Sequence, residues 1–145
     1  MNATTPTPKF PLKGRKRILA GNAFLLALLF GLVSFNKDVL RPAFHHQPFL
    51  DALTGCFPNF IAALLISLAF VNAIVNRKPK FGRLLVYLSS ALVFIILTIE
   101  EIKPMWGASS HYDRYDIVAS AVGSLLAIGI FELISRKQKI MTGSE

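Results

Sequence analysis

Four carboxylates gather around one short polar stretch of this chain: Glu100 and Glu101 before it, Asp113 and Asp116 at its end. Between and beside them stand Lys103, His111 and Arg114, which are candidate charge partners. Pro104 disfavours helix at Lys103, so a helix carrying both glutamates ends there. Asp116 falls where the next apolar run opens, and a carboxylate there meets the unpaired N–H groups and positive dipole end of a helix. The two elements therefore return Glu100, Glu101, Asp113 and Asp116 to a common rim. Adjacent residues on a helix point about 100° apart, so at most one of the two glutamates faces Asp116 squarely. Two readings stay open. Either the rim is solvated interfacial carboxylate paired with Arg114 or Lys103, or Glu101 and Asp116 face inward and mark a pocket. Ionisable groups inside apolar crossings are rare without a functional reason.

Other residues offer less. Ala119, Gly123 and Ala127 form a small-xxx-small stripe, with Ser120 and Ser124 beside it, a pattern that lets helix backbones approach closely in lipid. Glu132 stands four residues before Arg136, the spacing of a helical ion pair. Asp51 or Thr54 would cap the second apolar run, with Pro58 in its first turn, Asn59 near that end and Asn72 near the other as a structural hydrogen-bonder. His45, His46 and His111 match no ligand spacing, so no metal site and no cofactor is expected. The single cysteine, Cys56, excludes an internal disulfide. No Ser-His-Asp set, HExxH helix or phosphate loop is present, and the sequence points away from an enzyme.

These residues are positioned by four apolar runs. Ile18–Phe35, Cys56–Val75, Leu84–Lys103 and Asp116–Ser135 each approach the roughly twenty residues that span a bilayer core. Twelve of the sixteen Lys/Arg lie in three tracts, around Lys9–Arg17, Arg77–Arg83 and Arg136–Lys139, and six of the eight acids fall in the alternate loops. That alternation predicts an all-α, four-crossing transmembrane bundle running up-down-up-down with both termini cytoplasmic. Residues 1–17 read as a basic mobile tail, 18–135 as the membrane domain and 136–145 as a second short tail. The first run is too long, and lacks a cleavage site, for a secretory signal. The lipoprotein-like Leu53-Thr54-Gly55-Cys56 opens the second crossing where a lipoprotein box would close the first. A net charge of +8 is explained by orientation and by anionic inner-leaflet lipid, so nucleic acid is not an expected partner. Trp106, Tyr112 and Tyr115 read as an interfacial aromatic belt.

Glu101, the run Tyr112-Asp113-Arg114-Tyr115-Asp116, and the opening of the fourth crossing, Asp116-Ile-Val-Ala-Ser-Ala-Val-Gly123, together resemble the VanZ-like family. Pro104, Ser110 and Ser120 stand where that family often has glutamine, arginine and asparagine. The resemblance implies a multi-pass protein of the bacterial plasma membrane, associated with the cell envelope and with teicoplanin resistance, without an assigned reaction. On this reading Glu100, Glu101, Asp113, Arg114, Asp116 and Ser120 bind an envelope ligand, such as a lipid headgroup or an antibiotic. The alternatives are a small proton-coupled or solute transporter, for which Ser67, Ser89 and Ser90 are the polar groups at mid-depth, and a membrane-embedded enzyme on a lipid-linked substrate.

Overall fold

A computed structural model describes residues 12–77, 79–102 and 114–142. Among the described residues all of the regular structure is helical: α1 (Leu12–Phe35), a π-helical turn (Asn36–Leu40), α2 (Arg41–Phe44), α3 (Pro48–Arg77), α4 (Gly82–Ile102) and α5 (Arg114–Thr142). Four segments, Gly14–Phe44, Pro48–Arg77, Gly82–Ile102 and Arg114–Arg136, are long and apolar enough to cross a bilayer. The chain is a multi-pass membrane protein whose crossings alternate in direction.

Side-chain sorting differs from that in a soluble bundle, in that many large apolar side chains face outward and small ones share the interior. Leu19, Phe24, Phe30, Leu125 and Leu133 are exposed on the outside, while Ala63, Ser67, Ser90, Ser124 and Ala127 fill the inside. Lipid tails are as apolar as leucine, so burying a large side chain gains little; close backbone approach gains dispersion contacts instead. Gly123 shows the limit of this logic. A Cβ built there would sit 2.5 Å from the Phe60 carbonyl oxygen and 3.0 Å from Ala63 Cβ. The α3–α5 interface, the most extensive among the described residues, is closed around that glycine.

α3 is the central helix. Ile61 and Ala63 are both buried although they point about 200° apart, so α3 is covered on two opposite sides. It packs against α1 on one side and against α4 and α5 on the other; among the described residues α1 touches neither α4 nor α5. Val71, Val86 and Phe131 form the apolar layer that joins α3, α4 and α5.

α1 is held to α3 by amides. Asn72 Nδ2 donates to the Ile18 carbonyl at 3.2 Å and to Asn22 Oδ1 at 2.8 Å, and Asn76 Nδ2 donates to Asn72 Oδ1 at 2.9 Å. The missing side chain at Gly21 makes room for this, since a Cβ there would lie 2.7 Å from Asn72 Nδ2.

Several boundaries differ from the sequence reading, for identifiable reasons. α1 opens at Leu12, so Arg15, Lys16 and Arg17 ride on its first turns. α3 opens at Pro48, whose fixed φ suits the first helical position, after a turn closed by Gln47 N–H to the Phe44 carbonyl at 3.0 Å. Pro58 therefore stands inside α3 instead of in its first turn. Neither Asp51 nor Thr54 caps that helix: Thr54 is a turn and a half inside it, and its hydroxyl donates back to the Leu50 carbonyl at 2.9 Å. Glu132 is bridged across the helix pair to Arg83 of α4, not along its own helix to Arg136.

Candidate functional site

The proline inside α3 creates the first polar requirement at this end of the bundle. Proline has no N–H, so Pro58 leaves the Thr54 carbonyl without its helical donor. Asn36, fully buried in the π-helical turn, fills that role: its Nδ2 donates to the Thr54 carbonyl at 2.9 Å. The π-helical turn adds one residue per turn, which lets the end of the α1 segment present Asn36 to α3. Sequence reasoning missed Asn36. The signal was available, because Pro58 frees the Thr54 carbonyl and a neighbouring segment at the same depth is one source of the donor it needs.

The carboxylates occupy the same end. Val86 of α4 and Phe131 of α5 share a layer, and Glu101 lies fifteen residues beyond the first while Asp116 lies fifteen before the second. On antiparallel helices both shifts run in one direction and amount to about 22 Å of rise. Glu101 and Asp116 therefore stand at equal depth. Both also continue inward-facing stripes: Val86, Ser90 and Val93 lead to half-buried Leu97 and Glu101, while Ala127, Gly123 and Ser120 lead to half-buried Asp116. Oδ1 of Asp116 is shielded from the surface. Glu100 points outward and is exposed, as is Arg114 at the first position of α5. Ser120, one turn deeper than Asp116, is buried. Asp113, with Lys103, Trp106, His111 and Tyr112, lies outside the described residues.

Deeper in the bundle, Ser67 and Ser90 fall one turn from the Val71–Val86–Phe131 layer and are fully buried. Their hydroxyls, and that of Ser124, make no hydrogen bond among the described residues. Ser89 behaves differently and donates to its own helix at the Val86 carbonyl, 3.0 Å away. At the far end Arg83 grips Glu132 with two donors, Nε to Oε1 at 2.8 Å and Nη2 to Oε2 at 2.6 Å, and the Tyr87 hydroxyl donates to Oε1 at 2.7 Å. This bidentate pair joins α4 to α5 where Val86 and Phe131 also meet, and it leaves neither charge bare near the membrane boundary.

A cleft of about 730 Å³ opens beside α2 and the first turns of α3, lined by Arg41, Pro42, His45, His46, Asp51, Ala52 and Gly55. His45 Nδ1 stands 3.5 Å from Asp51 Oδ1. The sequence reading considered the two histidines only as metal ligands, and among the described residues no three His, Cys, Asp or Glu converge as a ligand set. Arg41 went unremarked because, like Lys37, it lies outside the three basic tracts.

The end of the bundle formed by the close of the α1 segment, the start of α3, the close of α4 and the start of α5 thus carries two half-buried carboxylates, a buried amide and a cleft that holds Arg41. No protein family, no curated protein and no solved structure matches this chain.

Proposed function

We propose that the chain is a VanZ-like integral membrane protein of the bacterial cell envelope that binds a cationic, amine-bearing group at Glu101 and Asp116. The observation that carries this reading is the equal depth of these two carboxylates on the inward stripes of adjacent helices. Two partly dehydrated carboxylates repel one another and are stabilised by a cation placed between them. Ser120 adds a hydroxyl one turn below, and Glu100 and Arg114 frame the entrance. An amino headgroup of a lipid and the amines of an envelope-directed antibiotic share this chemistry. The alternation of basic tracts and acidic loops supports an orientation with this end outside the plasma membrane and both termini in the cytoplasm.

The test is substitution without loss of insertion. Glu101→Gln and Asp116→Asn each keep size and hydrogen-bonding capacity while removing charge. In cells whose glycopeptide susceptibility depends on the protein, either variant is expected to return susceptibility to that of cells lacking it, at unchanged membrane abundance. Full protection by both variants excludes the carboxylate pair. A cysteine placed at position 111 in a Cys56→Ser background is expected to react with an impermeant maleimide on intact cells; reaction only after permeabilisation reverses the orientation.

One observation favours a second reading. Ser67, Ser90 and Ser124 hold buried hydroxyls without partners in the described structure, as the polar lining of a solute or proton path would. Solute-dependent proton uptake by the purified protein in liposomes is its test, and uptake equal to that of protein-free vesicles removes it.

A further inference from the structure

We propose that the cleft between α2 and α3 is a phosphate site that holds the headgroup of an anionic lipid. Arg41 is its anchor. Among the described residues the Arg41 guanidinium has no carboxylate partner: the ion pairs there are Arg83–Glu132 and His45–Asp51. Its planar fork of five N–H donors matches two phosphate oxygens at once, a geometry that a lysine does not supply. Residues 41 and 45 are four apart on a helical stretch and so present Arg41 and His45 to the same side. His46 lines the same cleft, its ring centre 6.0 Å from that of His45.

Two further features suit an anion. Asp51, the acid of the cleft, lies beside His45 and forms no ion pair with Arg41, which leaves the guanidinium to an incoming charge. The first two turns of α3, a helix of 30 residues, border the cleft through Asp51 and Gly55, and the positive end of the helix dipole adds to the potential there. Gly55 stands next to the guanidinium: a Cβ at that position would lie 3.8 Å from Arg41 Nη2, in ordinary contact, so a long side chain there would reach the guanidinium.

The surroundings select a lipid over a free anion. The cleft lies where the membrane spans Gly14–Phe44 and Pro48–Arg77 meet. Phe49 and Val39, on the segments that flank it, are 79% and 48% exposed. A soluble phosphate gains nothing from these apolar neighbours, whereas a lipid places its acyl chains against them while its phosphate meets Arg41. Neither Glu101 nor Asp116 lines the cleft, so this site stands apart from the proposed amine site.

Phosphatidic acid is the probe. The full chain, in phosphatidylcholine nanodiscs containing graded phosphatidic acid, is released into the mass spectrometer, and the fraction retaining one phosphatidic acid is measured. Arg41→Gln is expected to weaken retention on the order of ten-fold, the effect of losing a charge-assisted bidentate contact. Gly55→Leu, which keeps every charge but crowds the guanidinium, is expected to weaken it comparably and serves if Arg41→Gln does not fold. Arg15→Gln, at the opposite end of the bundle, is expected to change it less than about two-fold, as a remote surface charge should. Undiminished retention by folded Arg41→Gln or Gly55→Leu, or an equal loss in Arg15→Gln, overturns the site. Displacement of the lipid by inorganic phosphate at matching concentration overturns the lipid assignment. Glu101→Gln and Asp116→Asn are expected to retain phosphatidic acid as the unaltered chain does, which keeps the outcome separate from that of the amine site.

Discussion

Asn36 and Pro58 are twenty-two positions apart, yet each accounts for the other. A proline inside a helix is tolerated in lipid only if the carbonyl it frees finds a donor, because there is no water to supply one. Asn36 Nδ2 is that donor for Thr54, and the amide sits in full burial to reach it. Its own Oδ1 makes no bond among the described residues, so the arrangement is justified by the carbonyl and not by the asparagine. The prediction is therefore a coupling. Asn36→Leu should destabilise the unaltered chain by about 1 kcal/mol, the lost bond being partly offset by removal of the unbonded Oδ1. In a Pro58→Ala background the restored N–H takes the Thr54 carbonyl, and the same substitution should cost less than about half as much. Reversible unfolding in mixed micelles, run as a double-mutant cycle, reads the difference; additive costs would mean that Asn36 serves some other group.

At the scale of helices, the four crossings were legible because charge and apolar run length are written directly into the chain. The edges were not. Phe49 to Leu53 is interrupted by Asp51, so an uncharged-run criterion starts the second crossing late; the structure starts it at Pro48 because the carbonyl of Gln47 takes the Asp51 N–H at 2.8 Å. Partner choice was equally hidden. Glu132 and Arg136 have a helical spacing that any reader notices, while Glu132 and Arg83 are joined only by the register of α4 on α5. The inward stripe ending in Glu101 was half visible: periodicity limits the choice to one of the two glutamates, and only packing shows that Glu100 faces out. The stripe of small residues on α5 has a sharper consequence than its spacing alone conveys. A methyl group at 123 meets backbone of α3, which cannot rotate aside, so Gly123→Ala is expected to cost about 1–3 kcal/mol. Gly129 of the same helix has nothing within 4 Å of a built Cβ, and Gly129→Ala should be neutral to within about 0.5 kcal/mol. Equal effects of the two in the same unfolding assay would show that α5 does not rely on close approach.

Across the whole molecule, α3, α4 and α5 form a tight unit and α1 is attached to it from one side. None of the most apolar 18-residue stretch of α1 is buried, against 28% of that in α3 and in α5. What fixes α1 is polar: Asn72 to Ile18 and Asn22 toward one end, Asn36 to Thr54 toward the other. Apolar contact is weakly selective in lipid, where one leucine-lined surface exchanges for acyl chains at little cost, whereas an amide that leaves its partner has none to replace it. The joint variant Asn36→Leu with Asn72→Leu should accordingly release α1 while sparing the remaining three helices. Spin labels at Leu19 on α1 and Phe81 in the turn between α3 and α4, both exposed near the Asn72 end, report how α1 sits against the rest of the bundle in a Cys56→Ser background. Their distance distribution is expected to be narrow in the otherwise unaltered chain and broad in the joint variant. A second pair at Leu88 and Leu133, on α4 and α5, should stay narrow in both. A narrow Leu19–Phe81 distribution in the joint variant would mean that side-chain packing alone holds the first crossing. Broadening of the Leu88–Leu133 pair would mean that α1 is part of the core and not an attachment to it.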